Sequence, residues 1–152
     1  LMFDPRFHDA DTLIAQLPQA MLPYAQLGAV AAAIQKHIQA APALQDYALK
    51  LWRATAAPAD FGVRLDSVDL QDASANDVML AGASPRGMSA LLRAARVVAW
   101  LEGRTHLVPD DVLAVLPSVL AHRVFFTPVY ELRRAELAPA LVQKIIDKVA
   151  AP

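Results

Sequence analysis

Arg86 stands at the end of the run Gly82-Ala83-Ser84-Pro85-Arg86. Serine is a favoured helix N-cap and proline fits the first helical position, so the pair marks a helix start. Arg86 then falls in the first turn, where unpaired backbone N–H groups already form a positive pole. A cation there costs a few tenths of a kcal/mol up to about 1 kcal/mol unless something negative sits beside it. Helix N-termini bind phosphate well, and a guanidinium adds a permanently charged, bidentate donor. Arg86 is therefore a candidate phosphate contact, with Ser84 and Pro85 setting the helix start that aims it. Taken by itself, an arginine that is merely solvated or paired with a nearby aspartate is the more common outcome.

The rest of the chain offers little further chemistry. There is no G-x-x-x-x-G-K-[ST] phosphate loop and no apolar strand ending in paired carboxylates for magnesium. On its own the chain is expected not to hydrolyse nucleotide, and no catalytic residue is assigned within it. His8, His37, His106 and His122 are dispersed, without metal-ligand spacing, so no metal site is expected. Asp60, Asp66, Asp69, Asp72 and Asp77 lack the spacing of a calcium loop. Ser84 has no histidine at a spacing that would make it a nucleophile, and reads as a cap. Trp52 and Trp100 are most simply core or interface aromatics. His122 and Arg123 suit the negative end of a helix and read as a polar helix end near the surface.

Composition narrows the class. The 152 residues suffice for one domain with a real core. Hydrophobic residues make up 56% and mean hydropathy is +0.32, but alanine carries much of this. No run approaches the roughly 20 apolar residues of a membrane span, so no membrane partner is expected. The absence of cysteine removes disulfides and cysteine-based zinc sites, and fits a cytoplasmic location. The net charge of −1 conceals an acidic first half and a basic second half. A pI near 6.5 argues against a nucleic-acid binder, although the basic half can face a smaller anion. The chain opens on Leu1, with no signal-like leader, and reads as a piece excised from a longer protein.

Helical periodicity recurs through most of the sequence. Tyr24, Leu27, Ala31, Ile34 and Ile38 make one stripe. Pro42 opens a second helix whose buried face carries Leu44, Tyr47, Ala48 and Leu51, to about Thr55. Residues 57–83 lose the 3.6 period. Phe61, Val63 and Leu65 alternate, as do Val68 and Leu70, so this stretch is either an irregular loop or a short β-hairpin. After Pro85, Met88, Leu91, Leu92, Ala95 and Ala99 share a face, and Gly103 suits the helix end. Pro109 starts another helix, with Asp110 and Asp111 in its first turn and Val112, Val115, Leu116, Val119 and Leu120 inward. Pro117 should kink it or loosen its last turns. A final helix is expected from about Pro139 to Val149, burying Val142, Ile145, Ile146 and Val149. The fold class is all-α, a helical bundle with one irregular or hairpin excursion around 57–83.

Several blocks of this sequence occur in a telling order: Gly82 to Arg86, Leu91-Leu92-Arg93-Ala94-Ala95-Arg96, Gly103-Arg104, Val108 to Val112, and Val119 to Arg123. Together they resemble the C-terminal helical lid of MoxR-type AAA+ ATPases. A fainter match covers Asp46-Tyr47 and Leu51 to Thr55, and Val142 to Val149 with Pro152 resemble the lid's closing helix. The resemblance implies one AAA+ lid domain over 1–152, with 1–23 as a leader segment and 82–152 the best-matched part. It implies that Arg86 is the sensor-2 residue, which contacts ATP phosphates and couples lid position to nucleotide state. It also implies a parent ATPase using ATP and magnesium, with an N-terminal AAA+ core, a homo-oligomeric, hexameric ring, and a chaperone-like or maturation role. A von Willebrand A-domain protein is an implied partner. Three positions depart from the pattern: Val108 replaces a capping threonine, Ala56 an arginine, and Ala121 a frequent basic residue. A freestanding helical interaction module is the competing reading, and a DNA-binding helical domain is a third, disfavoured by the acidic first half.

Overall fold

The computed structural model describes residues 10–16, 24–65 and 74–152, which form two compact units, Leu1–Ala33 and Ile34–Pro152. The first holds helix α1 (Ala10–Gln16), a 3-10 turn at Tyr24–Gln26 and the start of α2 (Leu27–His37). The expected stripe beginning at Tyr24 is only partly realised. Tyr24 is 89% exposed and Leu27 is exposed, whereas Ile34 and Ile38 are buried. The 3-10 turn has three residues per turn, so Tyr24 does not continue the 3.6-residue phase of the helix behind it.

The second unit is built around α3 (Pro42–Ala54), α4 (Ala75–Val78), α5 (Pro85–Leu101), α6 (Pro109–Leu120), α7 (Pro128–Glu131) and α8 (Arg134–Lys148). Helices α5 and α6 pack together, and α3 and α8 close the core against them. Leu44, Tyr47, Ala48 and Leu51 of α3 are buried, as are Leu91, Ala95 and Ala99 of α5. Val112, Leu116 and Leu120 of α6 meet Leu141, Val142 and Ile145 of α8 in the same interior. Leu92, Val115 and Ile146, at the edges of their stripes, are half-buried.

One proline expectation is corrected. The last helix begins at Arg134, so Pro139 lies inside it. The apolar spacing extends upstream of the proline, and Leu137 and Ala138 are buried one turn before Leu141 and Val142. Pro117 lies on the exposed side of α6, which runs on to Leu120 before tightening into a 3-10 turn at Ala121–Arg123. Gly103 ends α5 as expected, with φ of 71°. Its N–H bonds to Trp100 O, and Arg104 N–H reaches Ala99 O, the paired bonds of a Schellman cap.

The 57–83 excursion is irregular and carries one strand among its described residues. A 3-10 turn at Pro58–Phe61 ends on Gly62 in the left-handed region, with φ of 70°. Phe61 to Leu65 do not form a strand, and Asp66, Val68, Asp69, Leu70 and Asp72 lie outside the described residues. The strand is instead β1 (Met79–Ala81), paired antiparallel with β2 (Phe125–Phe126), with Met79 opposite Phe126 and Ala81 opposite Phe125. Met79 and Phe126 point inward while Leu80 and Phe125 are exposed, so the short ladder closes one side of the core. Among the described residues, no helix is long and apolar enough to cross a membrane.

Candidate functional site

Arg86 is the second residue of α5, after Pro85 at the first position and Ser84 at the N-cap. Ser84 has the extended backbone of an N-cap (φ −67°, ψ 165°), but its side chain accepts no capping hydrogen bond. Its contribution is the backbone turn and its carbonyl, which accepts from Gly87 N–H at 2.7 Å. The Arg86 side chain is exposed, and no described residue hydrogen-bonds or ion-pairs with it. The first turn of α5 contains no acidic residue. The cation therefore stands at a positive helix end with no described residue to neutralise it.

The backbone leading to Arg86 is held from α3. Thr55, fully buried, accepts from Ala83 N–H at 2.9 Å and donates its own hydroxyl to Trp52 O at 2.7 Å. The Trp52 indole Nε1 donates to Ala83 O at 2.6 Å and to Ser84 O at 3.2 Å. Gly82 lies directly on the α3 exit. A Cβ there would come within 2.5 Å of Ala56 Cα and N, a backbone-to-backbone approach that only glycine permits. Each residue of Gly82-Ala83-Ser84 thus has a positioning contact, while Arg86 has none.

On the other side of the same turn, Gly87 is buried. A Cβ at that position would sit 3.2 Å from Arg123 Cδ and 3.2 Å from Ala83 Cβ. The Arg123 stem therefore packs on the first turn of α5, and its Nε donates to Val119 O at 2.9 Å. His122 is exposed, and its carbonyl accepts from Arg134 Nη2 at 2.9 Å. Arg134 also pairs with Glu131 at 3.0 Å and lies over the Phe125 ring, 5.0 Å from its centroid. The His122-Arg123 end is thus a packed junction.

A second polar centre sits at the other end of α5. Asp111, 1% exposed, accepts from Arg104 Nη1 at 2.7 Å and Nη2 at 2.6 Å, and from Val108 N–H at 2.9 Å. The hydrogen bond to Asp111, with that carboxylate's charge, raises the Arg104 pKa above its ordinary value against the opposing effect of burial. The Gly103-Arg104 and Val108-to-Val112 blocks therefore fold into one ion-paired corner between α5 and α6. Nearby, burial raises the Tyr47 pKa above 10.0, with a smaller contribution from the charge of Asp110.

The helix start lies where the sequence places it, at Ser84-Pro85, with Arg86 in its first turn. Sequence reasoning missed Thr55 and Trp52 as holders of that start, and it read Asp111 only as a partner of the helix dipole. A signal existed for each. A threonine at the last turn of a helix, just before Ala-Ala-Pro, has a hydroxyl that must be satisfied. An arginine seven residues before an aspartate across a short loop is within pairing reach. His37, His106 and His122 remain separate, and no cluster of three metal-ligating side chains exists among the described residues; His8 lies outside them.

Comparison with known proteins agrees with this architecture. The AAA lid domain family matches residues 72–145. The chain is 47% identical over its whole length to Protein MoxR of Methylorubrum extorquens, of which it covers 43%. It is 45% identical, again over its full length and 43% of the relative, to Protein MoxR of Paracoccus denitrificans. Chaperone MoxR1 of Mycobacterium tuberculosis is 34% identical over 114 residues, 72% of this chain and 26% of that protein. The fold is also that of a crystal structure of a protein assigned as an ATPase from Cytophaga hutchinsonii. There the TM-score is 0.63 at 23% identity, over 79% of this chain and 33% of the other. The chain spans less than half the length of the MoxR relatives it matches. Residues 72–145 belong to the AAA lid domain family, and the chain is a relative of the MoxR-type AAA+ ATPases.

Proposed function

We propose that this chain is the nucleotide-sensing lid of a MoxR-type AAA+ ATPase, with Arg86 as the residue that reads the phosphates. The observation that carries the reading is Arg86 itself, exposed, unpartnered among the described residues, and projecting from a helix start whose preceding backbone is fixed at three successive residues. An exposed side chain on a held base suits a sensor, because the guanidinium can engage or release an anion without refolding the lid. Helix N–H groups and guanidinium then act on the same negative charge.

The parent protein in this reading binds ATP and magnesium in an N-terminal AAA+ core and hydrolyses the nucleotide there. It works as a homo-oligomeric ring in the cytoplasm. A chaperone-like role draws support from the relative named Chaperone MoxR1. A von Willebrand A-domain partner is part of the same proposal. The lid supplies no catalytic residue; it binds, orients and reports.

The test is Arg86→Ala in the full-length protein, read by steady-state ATP hydrolysis and by thermal melting. Loss of a preorganised contact to charge developing on the transferring phosphoryl group should cost about 2–4 kcal/mol of transition-state stabilisation. Melting should barely change, or rise slightly, since a cation leaves a positive helix end. Unchanged hydrolysis, or a large fall in melting temperature, would make Arg86 a structural residue.

A further inference from the structure

We infer that Trp52 is a positioning residue for Arg86, acting through the two carbonyls that precede α5. The inference rests on the assignment of Arg86 to nucleotide sensing. Its own ground is the division of labour between Trp52 and Thr55. Thr55 is fully buried, and its hydroxyl both accepts from Ala83 N–H and donates to Trp52 O. Removing it leaves a buried N–H without an acceptor, a loss of stability wherever it occurs. Trp52 differs. It is half-buried, and Ser84 O, the more distant of its two acceptors, keeps the bonds from Gly87 N–H at 2.7 Å and Met88 N–H at 3.3 Å. Deleting the indole N–H leaves the Ser84 carbonyl satisfied by the helix and costs the Ala83 carbonyl, in a part-buried bond, its donor.

What that N–H supplies is orientation. The peptide between Ala83 and Ser84 is held by its oxygen at 2.6 Å from Nε1, while the N–H of Ala83 is held by Thr55. Both backbone polar groups of Ala83 are therefore anchored to the last turn of α3. Between Ser84 and Arg86 lies only Pro85, whose ring fixes φ. The path from the indole to the Arg86 backbone thus has few free torsions. A small rotation at Ala83–Ser84 is magnified at the tip of a long side chain, and contacts to a reacting group lose rate steeply with misplacement.

The experiment replaces Trp52 in the full-length protein in two ways. Trp52→Phe removes the donor and keeps an aromatic body. Trp52→benzothienylalanine removes the N–H at unchanged shape, which guards against a packing defect. Each is made alone and together with Arg86→Ala, and kcat, KM for ATP and melting temperature are measured. We expect kcat/KM to fall roughly 3- to 30-fold in the wild-type background, with the melting temperature within about 4 °C of wild type. In the Arg86→Ala background, neither replacement should lower kcat/KM further. If Arg86→Ala depresses hydrolysis but the Trp52 variants match wild type, or lower it equally in both backgrounds, Trp52 does not act through Arg86. If Arg86→Ala itself has no effect, the sensing assignment falls, and this inference with it.

Discussion

The ion-paired corner between α5 and α6 makes a stability prediction that can be worked from its geometry. Asp111 accepts three hydrogen bonds while 1% exposed, two from the Arg104 guanidinium and one from Val108 N–H. Asp111→Ala removes all three bonds at once. The Arg104 side chain is 28% exposed and can turn towards water, so its share of the loss is partly recovered. Val108 N–H is part-buried and has no other acceptor in the hydrogen-bond pattern of this loop, and leaving such a group unsatisfied costs about 1–3 kcal/mol. Removing a favourable carboxylate from the first turn of α6 adds about 0.3–1 kcal/mol. The expected total is about 2–4 kcal/mol, or roughly 6–12 °C in melting temperature for a chain of this size.

Asp111→Asn sharpens the test. The amide keeps its oxygen for Val108 N–H but presents its nitrogen to a guanidinium that also only donates, so an intermediate loss is expected. Arg104→Ala should be at least as damaging as Asp111→Ala, because it leaves a buried carboxylate without its cation, whereas the aspartate variant leaves a cation that can reach solvent. Urea and thermal unfolding monitored by circular dichroism read the series. A loss below about 1 kcal/mol for Asp111→Ala, or an Arg104→Ala variant clearly more stable than Asp111→Ala, would refute the reasoning.

Two further outcomes follow from the same region. Tyr47 has its pKa raised in the folded state, chiefly by burial and then by Asp110. The unfolded chain therefore loses the phenolic proton first. The contribution is fully present below pH 10 and declines as pH rises from there through the raised folded value; Tyr47→Phe should flatten that alkaline decline in melting temperature, and an unaltered slope would remove Tyr47 as its cause. Val108 occupies the N-cap of α6 with the extended backbone of a cap (φ −119°, ψ 162°) but offers no side-chain acceptor. Val108→Thr keeps the β-branched shape and adds that acceptor, so it should stabilise the protein by about 0.5–1 kcal/mol, read by the same melts, and a loss of stability would show the hydroxyl is unwelcome there.

The sequence shows the helices of this fold readily, because their apolar faces repeat with the helical period and their starts are punctuated by proline. Pro42, Pro85 and Pro109 each stand at the first position of a helix. It misleads where a proline sits inside a helix. Pro139 looked like a start because the buried residues before it, Leu137 and Ala138, are separated from the next buried pair by the proline itself. The β1–β2 ladder was out of reach for a different reason. Its partners are Met79 and Phe126, two short segments separated by helices α5 and α6, and three residues of strand carry too little alternation to be told from a loop.

The candidate site divides in the same way, and the division has a physical basis. What local sequence specifies is the start of α5, since Ser84 and Pro85 act on their own backbone and place Arg86 two residues later. What it does not specify is why that start stays still, because the holders come from α3, some thirty residues upstream, through Trp52 to Ala83 and Thr55 to Ala83. The arrangement also bears on two of the departures from the lid pattern. Ala56 stands where the lid pattern has arginine, and there it lies beneath Gly82 with backbone against backbone. Val108 forgoes a capping hydroxyl, and Asp111 still receives its N–H, so half of the reciprocal cap survives. Both changes alter side chains around backbone contacts that remain in place. Arg86 is the opposite case: the backbone just before it is held at Gly82, Ala83 and Ser84, and no described residue pairs with its side chain. The fold satisfies the buried Thr55 hydroxyl and the buried Asp111 carboxylate, whereas no described residue pairs with Arg86, and it is on that contrast that its proposed role as a contact for an anion outside the lid rests.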